Sequence, residues 1–522
     1  MTKSFLYTFL DTNSKSVKQA RNFKCRWGRL ICVPIDPGVA PAHQAISNNC
    51  ARRRVACAYP TRNAAATLIL VERGKQKTAT NWSQSTSRRR SYLARPECLT
   101  DQTCNYMSFF DAFTRANNFT GRVRTAGDEV KQLADLHSRK GSHLFNAILA
   151  VGAMYAGKLN HQRASSKREA LSIAFQHYAY SIQGLREAID GMNLGTSPRL
   201  PRHENQRVCI LWTTFFLGVF ELMNDATGHG WQQHIIHGTS MALKHSGPTS
   251  CRSGPGFAFF IQARIFEISR TILFNEPTFL TEPEWVSLSR DMLTDEKNLA
   301  GSKNTWTSLD SLLDIMVMCS SLRVRAEAFI RGQGSSQDMP SSDSDAMAIS
   351  QDGHLLREAL RSWSAAYIPD AALPSPSTSS TLDKDPENIR HCAADPSTLL
   401  ARVFYASISI YLSGVFDYEL PHWQRRNLPV PALDQATVAQ HVCAILALTD
   451  TGLNHTALSP VLFLFPLRIA GARSCRQWQR DRVGALLDHI GIAYAVSSAI
   501  RADLAQVWKA RAAIANPELQ FA

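Results

Sequence analysis

The stretch Arg207-Val208-Cys209-Ile210-Leu211-Trp212-Thr213-Thr214-Phe215-Phe216-Leu217-Gly218-Val219-Phe220-Glu221-Leu222-Met223 has one charge near each end and a long apolar run between them. It contains no proline, and its apolar residues recur at helical spacing on every side, so it reads as a helix enclosed by others rather than one lying on a surface. Within it, Trp212, Phe215, Phe216, Phe220 and Met223 most simply form a core stripe; the alternative is the wall of an effector pocket.

The same 3.6-residue periodicity extends outward in both directions. It predicts helices over Leu144 to Leu159, Arg168 to Ile189, His229 to His245, Phe257 to Phe274, Leu309 to Arg331, Leu399 to Phe416, Thr437 to Asp450 and Asp481 to Arg511. Alternating, strand-like runs are scarce. Ser-Gly-Pro at 246–248 and 253–255 punctuates two of the helices, while Gly332 to Gly353 and Pro369 to Asn388, rich in Ser, Asp and Pro, read as disordered surface loops. The fold class expected is mainly α: a large all-helical domain over residues 97–522, long enough to bury a substantial core, with no fixed-length repeat. The longest apolar runs, Leu211 to Leu222 and Val461 to Leu467, fall short of a membrane span and read as core, and the apolar start Phe5 to Leu10 falls short of a secretory signal.

Charge separates the chain sharply. Residues 1–95 carry 18 basic and 3 acidic side chains, a net of +15, against 39 basic and 40 acidic in the remaining 427 residues, a net of −1. A polyanion is the natural partner of such a segment, and its binding would be salt-dependent through counterion release. A membrane fits less well, because no long amphipathic helix accompanies the charge. Arg52 to Arg54 and Arg88 to Arg90 are short basic runs that could also serve as a split nuclear import signal, a pattern that short runs often match by chance. The 12 cysteines do not form a disulfide framework, since eight are scattered singly from Cys98 onward, and this points to a reducing compartment.

The other four cysteines stand as two equal pairs, Cys25-x6-Cys32 and Cys50-x6-Cys57, each enclosing arginines: Arg26 and Arg29 in the first, Arg52, Arg53 and Arg54 in the second. Four thiolates satisfy one tetrahedral zinc, and guanidinium groups beside them suit phosphate. The bland alternative is a set of free cysteines in a basic tail. The spacing resembles the fungal zinc binuclear cluster, whose pattern C-x2-C-x6-C, loop, C-x2-C-x6-C places two further cysteines where this chain has Asn22 and Ser47. Those two bridge both metals in the family, and neither Asn nor Ser replaces a bridging thiolate. A misplaced exon boundary accounts for both departures, as does decay of the motif. The resemblance implies a DNA-binding module over residues 22–59, with zinc on Cys25, Cys32, Cys50 and Cys57 and a short helix after each terminal cysteine facing the major groove. Phosphate contacts would come from Arg52, Arg53 and Arg54, and base contacts from Arg26 or Arg29. A basic tail over residues 1–21 precedes this module and a flexible linker over 60–96 follows it; no heptad repeat supports a coiled-coil dimer there.

A second resemblance covers roughly residues 100–510. The run Phe220-Glu221-Leu222-Met223-Asn224-Asp225-Ala226-Thr227-Gly228-His229-Gly230-Trp231-Gln232-Gln233-His234, then His237-Gly238, Gly254 to Phe260, Arg264 to Glu267, Glu276 to Leu280 and Pro283 to Trp285, is similar to the regulatory domain of fungal zinc-cluster transcription factors. It implies a nuclear regulator of genes read by RNA polymerase II, with double-stranded DNA and the transcription machinery as partners. A related factor or a second copy is a further partner, and a membrane is not one. By family habit the target is a secondary-metabolite gene cluster.

Three rival readings use the same residues. The missing bridging cysteines suit a co-regulator that has lost direct DNA binding. The histidines His229, His234, His237 and His245 invite a metal, but no carboxylate completes a ligand set, and packing explains them more simply. An enzyme reading finds no nucleophile elbow, phosphate loop, dinucleotide fingerprint or zinc-protease motif, and the acids Glu282 and Glu284 are expected in a loop facing water.

Overall fold

The computed structural model describes residues 31–33, 56–58, 96–122, 127–137, 142–159, 164–193, 201–230, 238–252, 254–298, 307–332, 341–368 and 395–515. The chain divides into two units, residues 1–93 and 94–522. In the first, strands β1 (Ile31–Val33) and β2 (Ala56–Ala58) pair antiparallel, with Ile31 opposite Ala58, Cys32 opposite Cys57 and Val33 opposite Ala56.

The second unit is helical, as the periodicity requires. Its first half comprises α1 (Pro96–Ala116), α2 (Gly127–His137), α3 (His143–Leu159), α4 (Ala164–Asn193), α5 (Pro201–Asn224), α6 (Ser240–Ser246), α7 (Gly254–Phe274) and α8 (Pro283–Asn298). Its second half comprises α9 (Ser308–Gly332), α10 (Ser341–Tyr367), α11 (Pro396–Asp417), α12 (Leu420–Gln424), α13 (Gln435–His455), α14 (Leu464–Arg473), α15 (Gln477–Ala493) and α16 (Ser497–Ala515).

Helix α5 is the quoted stretch, and every residue from Val208 to Phe220 is buried. Its neighbour α3 packs on α1, α4 and α5. Small residues on α3 permit that approach: a Cβ on Gly152 would lie 2.2 Å from the Tyr106 carbonyl oxygen of α1, and one on Gly157 would meet the Leu171 side chain of α4 at 3.0 Å. In the second half, α11 and α13 start at aspartate caps. Asp395 accepts from the amides of Ser397 and Thr398 ahead of Pro396, and Asp434 accepts from the amide of Thr437 at 2.8 Å, so orphan first-turn donors are satisfied.

The two ends of the domain are joined by a buried polar clasp. Asn117 Oδ1, at the end of α1, accepts from Tyr494 Oη at 2.7 Å and from Ser459 Oγ at 2.9 Å. The adjoining backbone locks the same contact, with the Asn118 amide on Ala457 O at 2.7 Å and the Ser459 amide on Asn118 O at 2.9 Å.

Several expectations change. Asp481 to Arg511 is two helices, not one. The chain breaks at Tyr494, whose φ of −124° is extended, so that the amides of Ala495 and Val496 can cap the carbonyls of Met223 and Leu222 at the end of α5. The Ser- and Asp-rich stretch 332–353 is not a loop throughout: α10 begins at Ser341, because Ala346, Ile349 and Ser350 are buried at helical spacing and Gly353 leaves room for the Phe416 ring, which a Cβ would meet at 2.5 Å. Glu284 lies in the first turn of α8, where an acid suits the helix dipole, and Glu282 pairs with Lys244 at 2.6 Å. Of His229 to His245, the helix α6 occupies Ser240–Ser246, and residues 231–237, with His234 and His237, lie outside the described residues. So do 369–388 and the linker expected before Pro96. Two helical stretches, Asn205–Asn224 and Pro396–Asp417, are long and apolar enough to cross a membrane, contrary to the expectation; they are 83% and 89% buried within the domain and serve as its core.

Two outcomes follow from this packing. Gly152→Ala places a methyl against the Tyr106 carbonyl, and we expect a loss of about 1–3 kcal/mol in urea denaturation of the full chain. His143, His177 and His441 are held below the ordinary 6.5 by burial, His143 and His441 to about 4. The unfolded chain therefore takes up more protons than the folded one between pH 6.5 and about 4, and stability present above that window is lost as pH falls through it. Urea midpoints measured down the window should fall, and His143→Gln should flatten part of the slope.

Candidate functional site

In the stretch from α5 to α8, charged groups are buried among aromatic ones. Glu267 and Arg270 are one turn apart on α7, both nearly inaccessible. Arg270 grips Glu267 through two bonds, Nη2 to Oε1 at 2.7 Å and Nε to Oε2 at 3.0 Å, and its Nη1 reaches Glu276 at 2.6 Å. Ser240 Oγ and Thr278 Oγ1 donate to the remaining lone pairs of Glu267 at 2.6 and 2.9 Å. Burial alone would lower the guanidinium's pKa, but Glu267 and Glu276 outweigh it and hold it above its ordinary value. The network ties α6, α7 and the turn after α7 to one carboxylate, and Thr278 then caps the short turn Phe279–Thr281. Beside it, Trp285 stacks on Phe260 at 5.7 Å and meets Phe279 edge-on at 4.9 Å.

A second network holds α7 one turn earlier, at Arg264. Arg264 pairs with Asp314 and donates to the Asp310 carbonyl at 3.3 Å, while Asp310 accepts from Arg122 at 2.8 Å and from Thr307 Oγ1 at 2.7 Å. At the end of α5, Asp225 accepts from the Thr227 amide and hydroxyl at 2.8 and 2.6 Å and from the Gly230 amide at 2.8 Å. These bonds lower its pKa although burial raises it. They close a tight turn at Gly228, whose φ of +71° suits glycine. Glu221, raised by burial, accepts from Tyr178 Oη at 2.5 Å.

The aromatic stripe of α5 is core. Trp212, Phe215, Phe216, Phe220 and Met223 are all buried, and Trp212 packs on Phe215, Phe216 and Phe259 while donating to the Pro255 carbonyl at 3.1 Å. Trp212 and Phe216 line a cavity of about 30 Å³, with Phe113, Asn117, Thr120 and Gln262 around them. That volume admits a water or two and no metabolite, so the effector-pocket alternative finds no ready-made space here. Among the described residues no three His, Cys, Asp or Glu side chains converge as metal ligands. The thiols of Cys209, Cys251 and Cys319 are pushed up to about 12 by burial, which makes them packing groups rather than nucleophiles.

Of the residues expected to hold zinc, Cys32 and Cys57 are at directly opposed positions of the β1–β2 pair. Directly opposed residues share a sheet face, so the register joins the second half of one x6 pair to the second half of the other. Val33 and Ala58, which follow them, are extended rather than helical. Cys25, Cys50, Arg26, Arg29, Arg52, Arg53 and Arg54 lie outside the described residues. Sequence reasoning passed over Arg270, and the signal for it was available: a Glu and an Arg at i, i+3 within an otherwise apolar helix.

A family model, the fungal specific transcription factor domain, matches residues 123–517. An uncharacterized protein of Emericella nidulans is 30% identical over 129 residues, 24% of this chain and 27% of that protein, so the aligned stretch spans about a quarter of the relative. No solved structure matches. With the family model covering most of the chain and every helix of the helical unit after α1, the protein belongs to the fungal specific transcription factor domain family.

Proposed function

We propose that this protein is a nuclear, DNA-binding regulator of genes read by RNA polymerase II, in which residues 22–59 contact DNA and the helical domain receives signals or recruits the transcription machinery. The observation that carries this reading is the match to a transcription factor domain over residues 123–517, downstream of a segment of net charge +15 with two x6 cysteine pairs. Cys25, Cys32, Cys50 and Cys57 would hold one zinc. The opposed register of Cys32 and Cys57 fits that donor set, and Asn22 and Ser47 do not fit a second ion. When bound, zinc supplies structural stapling and no redox chemistry. Arg52, Arg53 and Arg54 anchor phosphates, and Arg26 or Arg29 reaches a base edge. A secondary-metabolite gene cluster is the target that family habit suggests.

A second reading is favoured by Asn22 and Ser47 themselves. Loss of both bridging ligands suits a co-regulator that works through its helical domain on an intact relative, without direct affinity for DNA. Neither reading assigns catalysis to any residue.

Elemental mass spectrometry of the purified full chain, combined with DNA titration across salt concentrations, separates the two. The first reading expects one zinc per chain and affinity that falls steeply with salt. Replacing Arg52, Arg53 and Arg54 by alanine should then reduce the slope of log affinity against log salt by about 2–3, since each phosphate contact contributes about 0.9. A chain without zinc, and with no affinity for duplex DNA beyond that of the alanine variant, would leave the co-regulator reading.

A further inference from the structure

Among the described residues the arginines Arg264, Arg270, Arg323 and Arg357 are buried. The first three lie on carboxylates: Arg264 on Asp310 and Asp314, Arg270 on Glu267 and Glu276, Arg323 on Glu327. Arg357, on α10 and 6% exposed, has no carboxylate within ion-pair distance among the described residues. Its Nη2 donates to the Pro431 carbonyl at 2.8 Å, and both terminal nitrogens reach the Ser409 carbonyl at 3.4 Å. Its Nε is buried without a partner.

A second unpartnered nitrogen lies beside α11 within electrostatic reach of Arg357. His441, on α13 and 5% exposed, sets its ring edge-on to Tyr405 at 5.8 Å, one turn before Ser409, and its Nδ1 is buried without a partner. Burial, and then the charge of Arg357, favour the neutral ring. A neutral ring can carry its proton on Nδ1 and donate it. Carbonyl oxygens offer Arg357 partial negative charge but no net neutralisation, and the carboxylate that acts on it at longer range, Asp417, is directly paired with Arg473; a guanidinium without a directly paired counter-charge in a low-dielectric interior is unfavourable. Two unmet nitrogen donors from two helices, one of them on a cation with no directly paired carboxylate, select a compact acceptor of net charge −1.

We propose that the Arg357–His441 cluster beside α11 is a binding site for a small monovalent anion, with Arg357 Nε and His441 Nδ1 as donors. A halide and the carboxylate of a one-carbon acid offer the same chemistry. Sulfate and glutamate are too large for a site within packed helices. The inference concerns the helical domain alone and holds whether or not the N-terminal module binds DNA.

The test is thermal melting of the full-length chain in potassium salts of chloride, bromide, formate, sulfate and glutamate at equal ionic strength. Small monovalent anions should raise Tm by about 2–4 °C over glutamate and sulfate, as expected for a ligand that binds only the folded state. A rise confined to halides assigns the site to inorganic anions, and one largest in formate assigns it to carboxylates. Arg357→Met should melt no lower than the parent in glutamate and should lose the anion-specific rise. His441→Phe, which keeps the ring volume, should weaken the rise and provides the readout if the first variant does not fold. Equal Tm of the parent in all five salts, or a rise that persists in the variants, would overturn the proposal.

Discussion

A helix that is apolar around its whole circumference cannot lie on a surface or in a groove, and the domain depends on meeting that constraint for α5. From Val208 to Phe220 no face is exposed, so other helices must cover it on every side, and the carbonyls at its C-terminal end must find donors away from solvent. The amides of Ala495 and Val496 fill that role for Met223 and Leu222. This fixes where the last helix begins. It also places Tyr494 so that its hydroxyl meets Asn117 and Ser459, joining segments that are hundreds of residues apart in sequence.

Buried charge supplies what apolar contact cannot. Hydrophobic burial is non-directional and tolerates sliding of one helix on another, whereas a carboxylate with its donors at fixed angles does not. Glu267 takes donors from Arg270, Ser240 and Thr278, so the positions of α6 and of the turn after α7 are set by one side chain. Asp310 does the same between Arg122 and Thr307. The stretch resembling zinc-cluster regulators coincides with much of this stitching, which gives a physical reason for the polar residues that interrupt its apolar pattern. Arg357 stands apart because carbonyls, not a carboxylate, meet it.

Most helices were legible because an amphipathic or wholly apolar helix declares its period locally. Leu144 to Leu159, Arg168 to Ile189 and Leu399 to Phe416 each fall inside an observed helix. The failures share one cause. Serine and aspartate at 341–345 mimic a loop, yet Ala346, Ile349 and Ser350 find a buried surface on the far side. Between Asp481 and Arg511 the helical pattern runs on without a proline or glycine pair to stop it, and the break is imposed by a distant helix end that requires donors. The region that most directly suggested function, the arginine-bearing cysteine pairs, was legible as chemistry but not as geometry. Spacing names ligands and does not orient them, and the opposed register of Cys32 and Cys57 came from the strand pairing.

The sequence by itself determined the helical class, the enclosed nature of α5 and the concentration of positive charge in the first 95 residues, because composition and short-range periodicity are local properties. Only the tertiary structure decided which charges are buried together, where the final helices break and which cations lack a carboxylate. Apart from local pairs such as Glu267–Arg270, those outcomes depend on partners tens to hundreds of residues away, brought within hydrogen-bond distance by packing that no local pattern encodes.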